Sequence, residues 1–560
     1  MSDNLTLAEF PPVSTAEWDE AVRRDLKGAA PKTKLFYRAE DVRGLEYLDS
    51  APGEFPYTRG TRSDNAWRIR AVVVPDADAA RAALNAGADE ICFVLGDQNI
   101  YEVLDALPHC PVHFEAADRA AELLEAMRWR PVAITGGSVD YEPLWDFDRA
   151  VHLVRQSHAL PSFRPITVRA DWRFSRFSAT IVQELGFALA EGVEIMAQLT
   201  DRGLAPDEAA QALAFSFAIG SNYFQEIAKL RAARTLWARA IESFHPAEAG
   251  AGRMTIYART SRFTKTIYDP YVNVPRSTTE AMAAAIGGAD SIQVEAFDRT
   301  YREPDEASLR LARNTQLILK QEAWLDRTVD PSGGSYYLET LTDSLARKAW
   351  ALFQQVEAAG GFLKYVNSGA LDHVDLAKSH TDRELAVSTR RATIVGTNQY
   401  PNLQERMLPK IEREDWAPRG ARIFEDIRLR TERHAALTGH TPRFLLFEAG
   451  DVKMRKARSG FITNFFGCAG FEIETVGQLT GDPDAIVLCS SDPEYAALAP
   501  RVIQELRDAG KTTPVIVAGY PAGAIEQLQQ AGVADFVHVH SNAAEVLRAW
   551  QERLGVGDAS

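Results

Sequence analysis

The sequence predicts an α/β protein: a TIM-type (β/α)8 barrel followed by a flavodoxin-like, doubly wound domain. Three observations predict it. From about residue 68 to 400, short apolar runs alternate with segments of helical period, the pattern of parallel strands joined by helices. Some 330 residues of that alternation are long for an open sheet and fit a closed barrel. The last 115 residues or so then hold five further strand–helix units, the size and rhythm of a flavodoxin-like domain.

Residues 1–40 form an arm. Phe10-Pro11-Pro12 breaks the chain, and Ser14 or Thr15 can cap the helix expected over 16–27. Trp18, Val22 and Leu26 recur at i, i+4 and i+8 on it. A single apolar stripe on a charged helix must bury, against its own domain or against a partner chain.

The barrel domain is placed at 41–400. Strands are expected at 70–74, 90–95, 111–114, 131–134, 167–170, 255–258 and 291–294, with helices around 77–87 and 99–107. Residues 401–440 are charged and interrupted by Pro409 and Pro418, so they read as a linker carrying one helix over 421–438. In the domain at 441–560, strands fit 444–447, 471–476, 485–489, 514–518 and 536–540. Helices fit 494–509, closed by Gly510, and 543–554.

Composition narrows the class. The chain has 560 residues, with 62 Lys and Arg against 77 Asp and Glu, a net charge of −15. That argues against a protein that mainly grips nucleic acid, which needs basic surface. With 46% hydrophobic and 25% charged residues the chain has the mix of a soluble globular protein. Cys92, Cys110, Cys468 and Cys489 form no C-x-x-C pair and no zinc spacing, and the first three sit in or beside apolar runs. No basic-then-apolar leader and no run of about 18 apolar residues is present, so a cytoplasmic protein without membrane contact is expected.

The residues alone name few chemical candidates. Arg59, in Pro56-Tyr57-Thr58-Arg59-Gly60, and Arg70 either bind phosphate or form ion pairs. Trp172-Arg173 follows a strand end and either lines a pocket or plugs the barrel mouth. Tyr57, Arg59, Arg70, Arg173 and Gln293 are the candidate substrate contacts. His538 and His540 alternate along the last expected strand, as ligands or as half-buried surface. No P-loop, G-x-G-x-x-G, G-x-S-x-G or H-E-x-x-H is present.

A series of motifs goes further. It comprises Pro52-Gly53-Glu54-Phe55-Pro56-Tyr57-Thr58-Arg59-Gly60; Tyr223-Phe224-Gln225-Glu226 through Arg234 with Trp237; Asp269-Pro270-Tyr271-Val272-Asn273 with Arg276 and Glu280-Ala281-Met282-Ala283; Ala312-Arg313-Asn314-Thr315-Gln316; Asp330-Pro331 with Gly333-Gly334-Ser335-Tyr336; and Gly396-Thr397-Asn398-Gln399-Tyr400. In this order, over nearly the whole chain, it resembles the adenosylcobalamin-dependent acyl-CoA mutases, specifically the methylmalonyl-CoA mutase family. The resemblance implies isomerisation of methylmalonyl-CoA and succinyl-CoA by an adenosyl radical, with CoA threading the barrel and cobalamin between barrel and C-terminal domain.

The departures from that family are as informative. Where active chains carry D-x-H-x-x-G, whose histidine ligates cobalt, this sequence has Lys453, Arg455 and Arg458. Arginine offers no lone pair, and the lysine removes a ligand-orienting carboxylate. Val72 stands for a tyrosine that aids cofactor cleavage, Trp172-Arg173 for a Tyr-His pair at the thioester, and Thr255 for a substrate or CoA arginine. The chain therefore resembles the small (β) subunit of the heterodimeric enzymes, with a degenerate cobalamin-type domain around Asn464-Phe465-Phe466-Gly467-Cys468-Ala469-Gly470. The resemblance implies no catalytic residue and no cofactor or metal on this chain. It implies adenosylcobalamin and acyl-CoA on a large catalytic partner, and an arm that wraps that partner. The alternatives are an acyl-CoA mutase of altered substrate that uses a separate cobalamin-carrying chain and contacts substrate through Arg173, and a binding protein that protects a mutase.

Overall fold

A computed structural model of the chain describes residues 14–25 and 53–557, apart from 131, 133, 161, 176–178, 414–417 and 480. The chain divides into two compact units, Met1–Arg43 and Gly44–Ser560. In the first, helix Thr15–Asp25 opens on a reciprocal cap: Ser14 N–H donates to Glu17 Oε2 at 2.8 Å and Glu17 N–H donates to Ser14 Oγ at 3.3 Å. Ser14 is thus the cap. The side chains of Trp18 and Val22, and Leu26 with the rest of the arm, lie outside the described residues.

The barrel is parallel throughout. Its strands are β1 Arg68–Val73, β2 Glu90–Val94, β3 Pro111–Glu115, β4 Gly136–Val139, β5 in two pieces (Phe163–Arg164 and Ile166–Arg169), β6 Leu213–Ile219, β7 Ile256–Thr260 and β8 Ser291–Gln293. Each pairs with the next, and β8 pairs with β1 at Arg70↔Gln293. Pro165 splits β5 because it has no N–H to give the ladder; the first piece pairs with β4 and the second with β6, which closes the ring.

Two expectations need correction here. The strand expected at 131–134 lies at Gly136–Val139: the chain reaches the sheet only at the double glycine, where a Cβ on Gly137 would overlap the Val112 carbonyl oxygen at 1.8 Å. And β6, buried at every residue, follows helix Pro206–Gln211 across one alanine, so the alanine-rich run hides the change of period.

The C-terminal sheet runs β9 Arg443–Glu448, β10 Glu472–Val476, β11 Ala485–Cys489, β12 Val515–Ala518 and β13 Val533–Val537, in the order β10-β9-β11-β12-β13. This is the flavodoxin-like 2-1-3-4-5 order. Strand alternation feeds two cores: Phe444 and Leu446 pack with Phe466 and Trp550 on one face, Leu445 with Tyr495 and Val502 on the other. The last strand ends at Val537, three residues before the expected end. His538 and His540 therefore stand in the turn that follows, where His540 N–H donates to His538 Nδ1 at 3.2 Å, rather than on one strand face.

The segment read as a linker is anchored to the barrel. Buried Glu432, on helix Arg422–Thr438, accepts from Tyr268 Oη at 2.9 Å and from the backbone N–H groups of Met407 and Leu408 at 2.9 and 2.8 Å. Arg419 and Glu425 form a second buried pair at 2.6 Å. Among the described residues, no helix is long and apolar enough to cross a membrane.

Candidate functional site

The inside of a TIM barrel is ordinarily packed with branched aliphatic side chains. Here it holds charge. Glu90 on β2 is fully buried and accepts from Arg70 Nε at 2.8 Å and from the Ser291 hydroxyl, while Arg68 Nε at 2.9 Å and His113 Nε2 at 3.1 Å lie in ion-pair range of its other oxygen. His113 Nδ1 meets Ser138 Oγ at 2.7 Å. The Arg70 guanidinium stacks 4.2 Å from the Tyr257 ring centre. Six of the eight strands contribute to this layer.

Its electrostatics follow from burial and pairing. Burial pushes the Glu90 carboxyl up, but His113, Arg70 and Arg68 outweigh it and hold the group well below the carboxylate range. Burial, helped by Arg70, pulls His113 down to about 4. A neutral ring can accept from Ser138 at Nδ1 while its Nε2 stands 3.1 Å from Glu90.

A second charged layer lies toward the C-terminal ends of the strands. Arg169 pairs with Asp171 at 2.9 Å and with Asp140, and Arg259 pairs with Glu115 and, at 3.4 Å, with Asp171. Arg262 and Arg299 hold Glu295 at 3.3 and 3.5 Å. Four arginines thus meet four carboxylates across the mouth. Burial raises Asp140 to about 6, whereas Arg262, Arg259 and Arg299 overcome burial and bring Glu295 to about 2.

The candidate residues divide over these layers. Arg70 and Gln293 are adjacent on the β1–β8 ladder inside the barrel; Gln293 is 3% exposed and its Oε1 has no hydrogen-bond partner among the described residues. Arg173 lies above the mouth, paired with Glu142 and, at 3.4 Å, with the fully buried Glu191, while Trp172 is half exposed. Tyr57 and Arg59 precede β1. Tyr57 is buried and donates to the Ala249 carbonyl at 2.8 Å. Arg59 faces Glu339 at 3.7 Å and Asp330 at 4.0 Å, both also held by Arg231. The structure therefore brings Arg70 and Gln293 together, and places Arg173, Tyr57 and Arg59 elsewhere. Val72 is half-buried on β1, and Thr255 precedes β7 with its carbonyl accepting from Phe215 N–H.

Sequence reasoning missed Glu90, His113, Tyr257, Arg169 and Arg259. The signal was there: alternate residues of otherwise apolar strands are charged or aromatic-polar, as in Pro111-Val112-His113-Phe114-Glu115. Runs counted for apolar content conceal such an inward-facing set.

In doubly wound sheets ligands sit beyond the carboxyl ends of the strands, where strand order reverses. Here that point lies between β9 and β11. Helix Val452–Gly467 begins directly after Asp451, whose side chain caps it through Met454 N–H at 2.8 Å. Lys453, Arg455 and Arg458 are consequently all on this helix. Arg458 reaches Asp492, after β11, at 3.0 Å. Lys456 and Ser459 bind Glu448 at the end of β9, at 2.7 and 2.6 Å. A Cβ added to Gly519 would lie 2.8 Å from Asp492 and 3.2 Å from the Arg458 guanidinium, so these side chains fill the crevice.

The four cysteines are buried, and burial raises the Cys110 thiol to about 11 and those of Cys468 and Cys489 to about 12. Among the described residues, no group of three or more His, Cys, Asp or Glu could hold a metal ion.

Comparison with known proteins gives a consistent result. The methylmalonyl-CoA mutase family model matches residues 148–440. The methylmalonyl-CoA mutase small subunit of Porphyromonas gingivalis is 38% identical over 98% of each chain. The small subunit of Streptomyces virginiae is 32% identical over 99% of each. The large subunit of Streptomyces virginiae is 35% identical over 50% of this chain and 38% of its own length.

Proposed function

The chain belongs to the methylmalonyl-CoA mutase family, and on that premise we propose that it is a non-catalytic small subunit, which pairs in the cytoplasm with a large chain that carries adenosylcobalamin and isomerises methylmalonyl-CoA and succinyl-CoA. The observation that carries this reading is the interior of the barrel. Arg70, Glu90, His113 and Tyr257 occupy the axis where the family resemblance puts CoA, and each is engaged with another. A substrate would have to break a buried pair to enter, at a cost of about 3–5 kcal/mol.

The residues present do not fit cobalamin. Arg455 stands at the ligand position and arginine has no lone pair to give. Arg458 stands at the glycine position, and its ion pair with Asp492 occupies the crevice. No step of the reaction is therefore assigned to this chain. Arg173, the contact that a mutase of altered substrate would use, is already held by Glu142 and Glu191.

The test is co-expression with a large subunit, separation of the chains, and absorbance of each. Cobalamin on the large chain alone, and mutase activity only in a 1:1 complex, is the expected result. Histidine-on cobalamin bound to this chain by itself would overturn the proposal.

A further inference from the structure

A cavity of about 370 Å3 opens between the 389–399 segment, helix Val452–Gly467 and the turn after β13. Arg390, Arg391, Asn464, Phe461, Phe465 and His538 line it, together with hydroxyl groups of Thr389 and Ser541. None of the described residues that line it is acidic, in a chain whose net charge is −15. It is separate from the crevice over β9 and β11, which Arg458 fills.

The two arginines are not neutralised. Among the described residues neither Arg390 nor Arg391 forms an ion pair with a carboxylate. Arg390 Nη2 donates to the side-chain oxygens of Gln399 and Asn464, and its guanidinium lies 5.5 and 5.7 Å from the ring centres of Phe465 and Phe461. Among the described residues its buried Nε has no hydrogen-bond partner. A buried donor left unpaired is costly, and an oxyanion at this place would satisfy it. Arg391, which is exposed, donates from Nε to Thr389 Oγ1 at 3.1 Å and leaves its other guanidinium donors open.

The site is also held in shape. Arg390 has a φ of 58°, a conformation a non-glycine residue keeps only when its surroundings dictate it. Asn464 ties the two walls together, accepting from Arg390 at 2.7 Å and from Tyr400 N–H at 3.3 Å. A Cβ on Gly460 would meet nothing within 4 Å, so that wall opens onto free space.

We propose that this cavity binds a small phosphate-bearing molecule, with the phosphate on Arg390 and Arg391 and its organic part against Phe461, Phe465 and Val539. Planar guanidinium groups with hydroxyl, amide and imidazole donors beside them are the donor set that phosphate oxygens take. The volume exceeds a bare phosphate and falls in the range of small-ligand sites.

Isothermal titration of the full chain with inorganic pyrophosphate, at fixed ionic strength, tests it. Saturable binding in the millimolar range or tighter is expected, weakened at least about tenfold in Arg391→Ala, whose exposed side chain makes no fold-bearing contact. Gly460→Leu fills the cavity from a helical position that favours leucine, so it should abolish binding with the thermal midpoint unchanged or raised. Succinate, titrated in parallel, should bind at least about tenfold more weakly. No saturable heat, equal affinity in both variants, or equal affinity for succinate would each overturn the proposal.

Discussion

Replacing Glu90 by glutamine tests how the barrel interior is held. Glu90 is fully buried, and Arg70 is 7% exposed, so neither can turn to water when its partner is lost. Glutamine keeps the volume but removes the charge that Arg68, Arg70 and His113 share, and it points an N–H at one of them. Removing one member of a buried pair costs about 3–5 kcal/mol, mostly the desolvated charge left behind. Urea unfolding of wild type and variant at pH 7 should show a loss of that size. The sign with pH follows from the depressed Glu90 value. Its contribution is present above the ordinary carboxylate value of 4.5 and fades as pH falls through the folded value, so the two curves should converge in acid. Adding Arg70→Met to Glu90→Gln should restore part of the loss, since it removes the orphaned cation. Mutase activity per mole of folded complex should not change. A loss under about 1 kcal/mol would refute the reasoning, since that is the worth of a solvent-screened pair.

Two further outcomes follow from other sites. Burial raises Glu191 to about 8, against Arg173 at 3.4 Å, and among the described residues both its oxygens lack hydrogen-bond partners. A raised carboxyl gives stability that is complete below its unfolded value and is lost as pH rises through the folded one; Glu191→Gln should therefore gain on wild type by about 1–3 kcal/mol between pH 5 and 9, and parallel stability curves in urea would contradict this. Arg455→His restores an imidazole at the ligand position, yet with Arg458 still on Asp492 the dialysed chain should retain no hydroxocobalamin by absorbance; a retained, histidine-on spectrum would show that the crevice is open.

Much of the architecture was legible because it depends on local pattern. Seven of the eight barrel strands were expected, six of them close to their places. All five C-terminal strands were expected too, four of them close to their places, as were the helices at 422–438, 495–508 and 543–553. The misses share a cause. Strand β6 shares its alanine-rich composition with the helix before it, and β4 begins where two glycines let backbones approach, a signal that apolar counting passes over. The 401–440 segment reads as a linker with one helix because its charges are frequent; Glu425 and Glu432 prove to be buried, each with one oxygen bonded to the barrel at Ile267 N–H and Tyr268 Oη.

By itself the sequence determined the family, the two parallel sheets and the absence of a histidine where the resemblance puts the cobalt ligand, since each is a matter of residue identity in order along the chain. Only the tertiary structure decided what Arg59, Arg70 and Arg173 do. A lone arginine reads equally as a phosphate ligand or half of an ion pair. What separates the two is whether a carboxylate from a distant strand or helix arrives within about 4 Å, where attraction at protein-like permittivity outweighs a loose contact with solvent. Glu90, Glu142, Glu191, Asp330 and Glu339 arrive there for these three arginines, and no carboxylate does for Arg390 or Arg391 among the described residues. The same residue type therefore plugs the barrel in one place and lines an open cavity in another.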